Sequence, residues 1–205
     1  DRDGRIIAFN LSTEELALRL KELTAASGFT ISGAIKGIDE GKITLELLLE
    51  GGKKELIKSK IVNGSFEISG RVERVCMAIL SLPSAMGEIS FFMDNNNIEI
   101  TGNSNDLNRI KIEGSPTNDE FIRIANRCNN QKNPMQCLMN YVNENKSSIY
   151  SPFITTSYLA PYLKTSELRE IYTTLEGEAK NMYQYDLLGR HILDLAKEEQ
   201  VGEKI

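Results

Sequence analysis

The chain has 205 residues, enough for one or two small domains, and its 40% hydrophobic and 26% charged residues are typical of a globular protein. A net charge of -5 without a long lysine or arginine cluster argues against nucleic-acid binding, and no apolar run approaches the roughly 20 residues of a membrane-spanning helix. The single histidine, His191, and the lack of a C-x-x-C pair argue against zinc catalysis, a Ser-His-Asp triad and dithiol chemistry within this chain.

The first 24 residues predict a turn, a strand and a helix. Turn residues 1–4 precede a short apolar strand at residues 5–11, and Ser12 with Glu15 has the pattern of a capping box before leucines at helical spacing. A hairpin turn needs a strand on both sides, and the strand before this turn is missing. Because an unpaired strand exposes a row of N–H and C=O groups, we expect residues 5–11 to pair with an edge of the β domain or with a second copy of the chain.

Residues 28–114 alternate apolar and polar side chains, which predicts short β-strands. Gly51-Gly52, Asn63-Gly64 and the loop at residues 94–97 are typical hairpin connections. About eight strands at regular spacing predict an antiparallel β-sandwich or an open barrel. The predicted strand segments are residues 28–37, 42–50, 53–62, 65–72, 74–82, 88–94, 97–102 and 108–114.

After Gly114 the apolar period changes to that of helices. Thr117 or Asn118 is expected to cap a first helix that ends near Arg127, and Pro134 is expected to begin a second. A third should start at Ser151-Pro152 and reach residue 163, a fourth should be capped by Thr165 or Ser166, and a fifth should span residues 178–199. The predicted fold class is therefore α+β, with a β domain at residues 28–114 and a helical segment at residues 115–200.

Four motifs in order resemble a known family. FTISGAIKG, IVNGSFEISGRV, ISFFMDNNNIEITG and GSPTNDEF, within residues 28–121, resemble the N-terminal β domain, of the DUF4369 type, of TlpA/ResA-like thiol–disulfide oxidoreductases of Bacteroidetes. The segments YVNENKSSIYSPFITTSYL and TSELREIYTTLEGEAKN resemble the helices of that family. There the helices lead into a thioredoxin-like domain, and VGEKI at residues 201–205 resembles the start of that linker. Residues 1–24 resemble the last strand and helix of such a domain.

The resemblance implies that this chain is the non-catalytic module of a cell-envelope thiol–disulfide oxidoreductase, which positions or dimerises the redox domain or recognises its partners. The implied partners are the thioredoxin-like domain of the parent protein and, as the parent's substrates, protein thiols or disulfides, with a homodimer through residues 5–11 as a further option. The implied location is the periplasm or cell envelope, with a lipid anchor at a removed signal sequence as one form. The resemblance implies no catalytic residue, metal or cofactor in this chain. A stand-alone envelope module for peptides or glycans and a structural oligomerisation piece remain as alternatives.

Two of the three cysteines, Cys128 and Cys137, enclose eight residues and form the candidate disulfide. An oxidising compartment would allow this bond; free thiols and a redox pair are the alternatives, and a redox pair would need a lowered thiol pKa. Cys76 lies in the most apolar strand segment and is expected to be an inert buried thiol.

Three further features favour structural roles over ligand binding. His191 borders the apolar face of the last helix and is expected to be packed and hydrogen-bonded. Residues 94–97 match no EF-hand spacing, which favours a solvated hairpin tip over a calcium site. Five tyrosines are expected to anchor helix packing rather than form a platform for peptides or glycans: Tyr158, Tyr162, Tyr172, Tyr183 and Tyr185.

Overall fold

The computed structural model describes residue 12, residues 28–83 and residues 87–202. The predicted strand at residues 5–11, its expected pairing with a sheet edge, the predicted N-terminal helix and the linker start at residues 203–205 lie outside the described residues. Within the described part, eight strands are followed by five α-helices, which confirms the predicted α+β class.

Each of the eight predicted segments between residues 28 and 114 contains a β-strand. Between β3 and β4, Asn63 and Gly64 both have positive φ angles, 50° and 75°, as a two-residue hairpin turn of this kind requires. The strands are β1 Phe29–Lys36, β2 Glu40–Leu49, β3 Lys53–Val62, β4 Ser65–Gly70, β5 Cys76–Ser81, β6 Glu88–Met93, β7 Asn97–Asn103 and β8 Asp106–Glu113.

The strands form one sheet in the order β6-β5-β2-β3-β4-β1-β7-β8, which curls into a nearly closed barrel. All neighbouring strands are antiparallel except β1 and β7, which run parallel with Ile31 opposite Ile98. β3 and β4 pair at one position alone, Val62 opposite Ser65, so the sheet divides there into two four-stranded halves. This arrangement is the sandwich or open barrel that the sequence predicts, apart from the one parallel pair.

The loop at residues 94–97 is not a hairpin connection, so that prediction is wrong. β6 lies at one end of the strand order, whereas β7 pairs with β1 and β8. The polar residues of the loop indicate a change of chain direction, but they carry no information about which strand receives the next set of hydrogen bonds.

Two hydrophobic cores result from the side-chain alternation of the strands. The interior of the barrel is filled by side chains such as Ile31, Leu45 and Phe91. The second core lies between the outer side of the sheet and the helices, where Phe92 and Leu48 meet apolar helical residues. Strands β2, β5 and β6 are therefore apolar on both faces where the helices cover them.

The first four helices begin close to the predicted positions, but their caps differ. The predicted span of the fifth, residues 178–199, is wrong at its start, because Gly177–Asn181 forms a separate 3-10 helix and the α-helix begins at Tyr183. Ser115, and neither Thr117 nor Asn118, caps the first helix. Thr165 is the first residue of the fourth helix rather than its cap, and its hydroxyl donates to Glu199 Oε1 at 2.6 Å. The helices are α1 Pro116–Asn129, α2 Pro134–Glu144, α3 Tyr150–Ile154, α4 Thr165–Thr174 and α5 Tyr183–Gly202; α3 continues through a π-helical turn, Thr155–Leu159, and a 3-10 turn, Ala160–Tyr162. None of the helices in the described ranges combines the length and the apolar character needed to cross a bilayer.

Candidate functional site

The free edge of β6 is closed by the first turn of α1 instead of by another strand. The Phe92 N–H donates to Asn118 Oδ1 at 3.2 Å, and Ser115 Oγ donates to the Phe92 carbonyl oxygen at 3.1 Å. Ser115 Oγ also accepts from the Asn118 N–H at 3.1 Å and so caps α1, with Pro116 as the first helical residue. Because Ser115 and Asn118 are both buried, their side chains take the place of a neighbouring strand and of water.

The contact between β6 and the first turn of α1, termed the β6 joint, is only partly predictable from the sequence. A serine directly before a proline, after a strand and before a helical pattern, is a typical cap followed by a first helical residue. That signal identifies Ser115 as the cap. It gives no indication that the same hydroxyl reaches the backbone of Phe92, because that contact joins positions 23 residues apart.

Asp94 and Asn95, directly after β6, extend the same joint. Asp94 Oδ2 accepts from the Thr117 hydroxyl at 2.7 Å and from the Thr117 N–H at 3.4 Å. The Asn95 side chain accepts from the Val72 N–H and donates to the Val72 carbonyl oxygen. The prediction of a solvated hairpin tip is therefore wrong for these two residues, whose side chains form hydrogen bonds within the protein.

The ring of Phe92 joins the sheet to α1 and α3. Its centroid lies 5.1 Å from that of Phe121, 4.9 Å from that of Tyr150 and 5.3 Å from that of Phe153, in tilted or edge-on arrangements. These geometries place the positive edge of one ring against the negative face of another. The Tyr150 hydroxyl also donates to the Thr117 carbonyl oxygen at 2.9 Å, which adds a polar contact to the aromatic cluster.

A second joint connects α5 to the turn between β2 and β3. The Gly51 N–H donates to Asp186 Oδ2, in the first turn of α5, at 2.8 Å. The ring of Tyr183 receives the cations of Arg190 and Lys54 at 5.7 and 6.0 Å from its centroid. Polar contacts thus hold the helices to the sheet both at β6 and at the β2–β3 turn, in addition to the apolar packing between them.

The structure joins Cys128, in the last turn of α1, to Cys137, in the first turn of α2, by a disulfide. A closed loop of this length stabilises a fold by about 3 kcal/mol in the chain-entropy treatment. Cys128 is fully buried, whereas Cys137 lines a groove of about 470 Å³. A thiolate attacking the accessible Cys137 sulfur would have to expel the Cys128 thiolate into apolar surroundings, where a thiolate is a poor leaving group. This arrangement disfavours exchange and with it the redox-pair interpretation.

Cys76, the third cysteine, is free and lies in the barrel core. Burial, and to a lesser degree the carboxylates of Glu55 and Asp94, raises the pKa of its thiol to about 12. A thiol that keeps its proton at neutral pH is not a nucleophile, so Cys76 has the properties of the inert buried thiol that the sequence predicts.

We expect the protein to lose stability as the pH rises above about 9, in part through Cys76. In the unfolded chain the thiol ionises near 9.0, whereas the folded protein keeps its proton up to about 12. Between these values the unfolded state binds fewer protons, so the free energy of unfolding decreases with rising pH. Urea denaturation at about pH 8 and about pH 10.5 measures the decrease. The C76A variant is the control and should lose less over this interval; an equal loss would show that Cys76 does not contribute.

The larger groove, of about 790 Å³, lies on the outside of the sheet where β1, β7, β8 and the β3–β4 turn meet. Its charged lining consists of Lys36, Lys111, Asp39 and the pair Arg109–Asp106, whose closest atoms are 3.2 Å apart. It contains no aromatic ring, thiol or imidazole. This lining therefore supplies neither a thiolate nor an aromatic platform for stacking.

The other candidate residues do not converge on a site. His191 is exposed, so the prediction that it is packed and hydrogen-bonded is wrong; the buried side of α5 passes through Leu188 and Ile192 instead. The rings of Tyr172 and Tyr185 stack with their centroids 4.4 Å apart and so act as packing anchors between helices. The ring of Tyr183 lies against Arg190, beside the contact between α5 and the β2–β3 turn. Tyr158 and Tyr162 are exposed. Across residues 28–83 and 87–202, no group of three or more His, Cys, Asp and Glu side chains is arranged to hold a metal ion.

Comparison with known proteins identifies the β domain. Residues 29–121 match the family model described as a domain of unknown function, DUF4369. The match covers the whole sheet and the first turn of α1, including the Ser115–Phe92 joint. It confirms the DUF4369-like part of the resemblance. Neither the search of curated proteins nor the search of solved structures found a match.

Proposed function

We propose that this chain, whose residues 29–121 form a DUF4369-like domain, is the non-catalytic module of a cell-envelope thiol–disulfide oxidoreductase. In the parent protein a thioredoxin-like domain carries the C-x-x-C dithiol. That dithiol gives two electrons and two protons to a disulfide of a substrate protein, which becomes two thiols. The module positions this domain or helps it to recognise its partners. A homodimer through residues 5–11 belongs to the same proposal.

The state of the three cysteines is the observation that carries the non-catalytic part of the proposal. Cys128 and Cys137 are bonded to each other, and Cys76 is buried with a raised pKa. None of the three offers an accessible thiolate, which is the species that attacks a disulfide. A redox role of the complete protein therefore depends on sulfur atoms outside this chain.

The disulfide also supports the proposed location. Disulfides form and persist in oxidising compartments such as the bacterial periplasm and are rare in the cytosol. The bond between Cys128 and Cys137 ties the end of α1 to the start of α2, and Cys128 is inaccessible to solvent. We take these contacts as support for a periplasmic or envelope location, with or without a lipid anchor.

The attachment of α5 supports a positioning role. This helix spans Tyr183–Gly202, so it is about 30 Å long. Its first turn is held by the bond between Asp186 and the Gly51 N–H, and its later part by the bond between Glu199 and Thr165. A helix fixed at two points would hold a following domain at a defined distance and direction from the sheet.

The expected outcome of an insulin-reduction assay is no activity for this chain alone. With dithiothreitol as the electron donor, insulin should precipitate at the rate seen with dithiothreitol alone, because the chain offers no accessible thiolate. Thioredoxin serves as the positive control. The C128A/C137A variant should behave like the unmodified chain. Turnover above background, and its loss in that variant, would instead show that Cys128 and Cys137 are a redox pair.

A further inference from the structure

The outer side of the β2–β3 hairpin combines lysines with exposed aliphatic side chains. Lys42 lies directly opposite Lys60 in the antiparallel register, and Lys58 is two residues away on the same side of β3. Leu56 and Val62 flank these lysines along β3 and are 58% and 60% exposed. These five residues are termed the lysine face.

The fold does not need this arrangement. Like charges directly opposite each other on neighbouring strands destabilise a sheet. In the described part of the chain no carboxylate oxygen lies within 4.0 Å of the ammonium nitrogens of Lys42, Lys58 or Lys60. Glu46, on the same side of β2, is paired with Lys54 at 3.2 Å. The three ammonium groups of the lysine face therefore form no ion pair, although exposed carboxylates lie on the same outer surface at Glu40, opposite Val62, and at Glu67 on β4.

Acidic side chains lie opposite one another elsewhere on the outer surface of the barrel. On β7 and β8, Glu99 lies directly opposite Glu113. In the strand order, β7 lies four places from β2, and β8 lies four places from β3. Because the eight strands nearly close into a barrel, the glutamate pair and the lysine pair lie on opposite sides of the barrel. At physiological salt, charges interact over about 8 Å. The lysine face can therefore attract an anionic surface although the chain has a net charge of -5.

The contacts of β3 favour a planar partner over a peptide strand. On the side of β3 that faces β4, Ser59 Oγ donates to the Glu67 carbonyl oxygen at 2.7 Å, and the Ile57 side chain lies against Gly70. β4 therefore lies against this edge at Ile57, Ser59 and Val62, and the lysine face is the surface left for binding. Lysine is a point charge without the planar fork with which arginine recognises single carboxylates. A bilayer surface accommodates both ammonium groups, among the headgroups, and aliphatic side chains, at the acyl boundary.

We propose that the lysine face rests on a membrane surface rich in anionic phospholipid. Lys42, Lys58 and Lys60 lie among the headgroups, and Leu56 and Val62 enter the boundary below them. Three lysines and two aliphatic side chains give weak, reversible binding, so the contact orients the protein on the membrane and does not anchor it. This inference stands independently of the proposed thiol–disulfide role.

Vesicle sedimentation tests the proposal. The protein should bind vesicles of phosphatidylglycerol and phosphatidylcholine at low ionic strength and should not bind vesicles of phosphatidylcholine alone. The K58Q/K60Q variant should bind about thirtyfold more weakly, because each lysine near such a surface contributes about 1 kcal/mol. The K36Q/K111Q variant, which removes the same charge from the groove lined by Lys36 and Lys111, is the matched control and should bind like the unmodified chain. The L56S/V62S variant should bind several-fold more weakly.

Other results would overturn the proposal. Equal binding to both kinds of vesicle would show that anionic lipid is not required. Equal weakening in the two lysine variants would show that binding does not depend on the lysine face. Competition by soluble polyglutamate together with full binding by L56S/V62S would identify an acidic polypeptide as the partner instead. Far-UV circular dichroism of each variant establishes that a change in binding does not come from unfolding.

Discussion

Replacing Phe92 with alanine is expected to lower the free energy of unfolding by about 3–5 kcal/mol. The Phe92 side chain is 1% exposed, and its ring contacts the rings of Phe121, Tyr150 and Phe153 on α1 and α3. Alanine would leave a cavity between the sheet and the helices and remove these ring contacts. Urea denaturation measures the loss. The milder F92L variant should lose less and keep the protein folded if F92A does not.

The neighbouring residue Phe91 provides the matched control. It is also 1% exposed, but it faces the interior of the barrel. All seven tyrosines lie in the helical segment and the chain has no tryptophan, so intrinsic fluorescence reports on the helices alone. In F91A the fluorescence and circular dichroism transitions should coincide, whereas in F92A the fluorescence transition should come first. Coincident transitions in F92A, or a loss below about 1 kcal/mol, would contradict the role of this ring as the link between the two cores.

Replacing Ser115 with alanine is expected to cost about 2–4 kcal/mol. The loss of a helix cap costs about 1 kcal/mol, and a buried carbonyl oxygen left without a partner costs about 1–3 kcal/mol. Both losses apply because Ser115 Oγ accepts from the Asn118 N–H and donates to the Phe92 carbonyl oxygen. The S115T variant keeps the hydroxyl and should recover most of the stability. Chemical denaturation at neutral pH provides the measurement.

Asn133 at the start of α2 separates the two contributions. Its side chain caps α2 by accepting from the Gln136 N–H at 3.1 Å, but it is exposed and serves no sheet edge. The N133A variant should therefore lose the cap energy alone, about 1 kcal/mol. If S115A costs no more than N133A, Ser115 is a helix cap and does not close the edge of β6.

The strands were predictable because their side chains follow a simple rule. In β1, Ile31 and Ile35 point into the barrel and Ser32 and Lys36 point to solvent, which is the alternation that the sequence displays. The turn at Asn63-Gly64 was predictable for a different reason, because few residues other than asparagine and glycine adopt positive φ angles without strain. Both signals are local, and local signals are what a single sequence contains.

The pairing of the strands was not predictable in the same way. Nothing near residues 94–97 indicates that β7 joins β1 in parallel instead of returning along β6. The runs Leu47-Leu48 and Phe91-Phe92 did carry a usable signal, because adjacent apolar residues in a strand require cover on both faces. That signal predicts that helices cover β2 and β6. The particular ring contacts of Phe92 depend on packing between distant segments and lie beyond such patterns.

The candidate site also combines features that the sequence predicts with features that depend on contacts between distant segments. Spacing alone made Cys128 and Cys137 a candidate pair, but burial of Cys128 is a property of the folded chain and decides how the bond reacts. The lysine face was not apparent from the sequence. Lys42 and Lys60 are 18 positions apart and become neighbours only through the register of β2 and β3.

The functional assignment depends most on the claim that a dithiol domain is the covalent neighbour of this chain in its parent protein. Sequencing the genomic DNA on both sides of the segment tests that claim directly. We expect an open reading frame that continues past the codon for Ile205 into a thioredoxin-like domain with a C-x-x-C pair. A reading frame with no C-x-x-C domain on either side would contradict the assignment and leave the stand-alone binding module as the better interpretation.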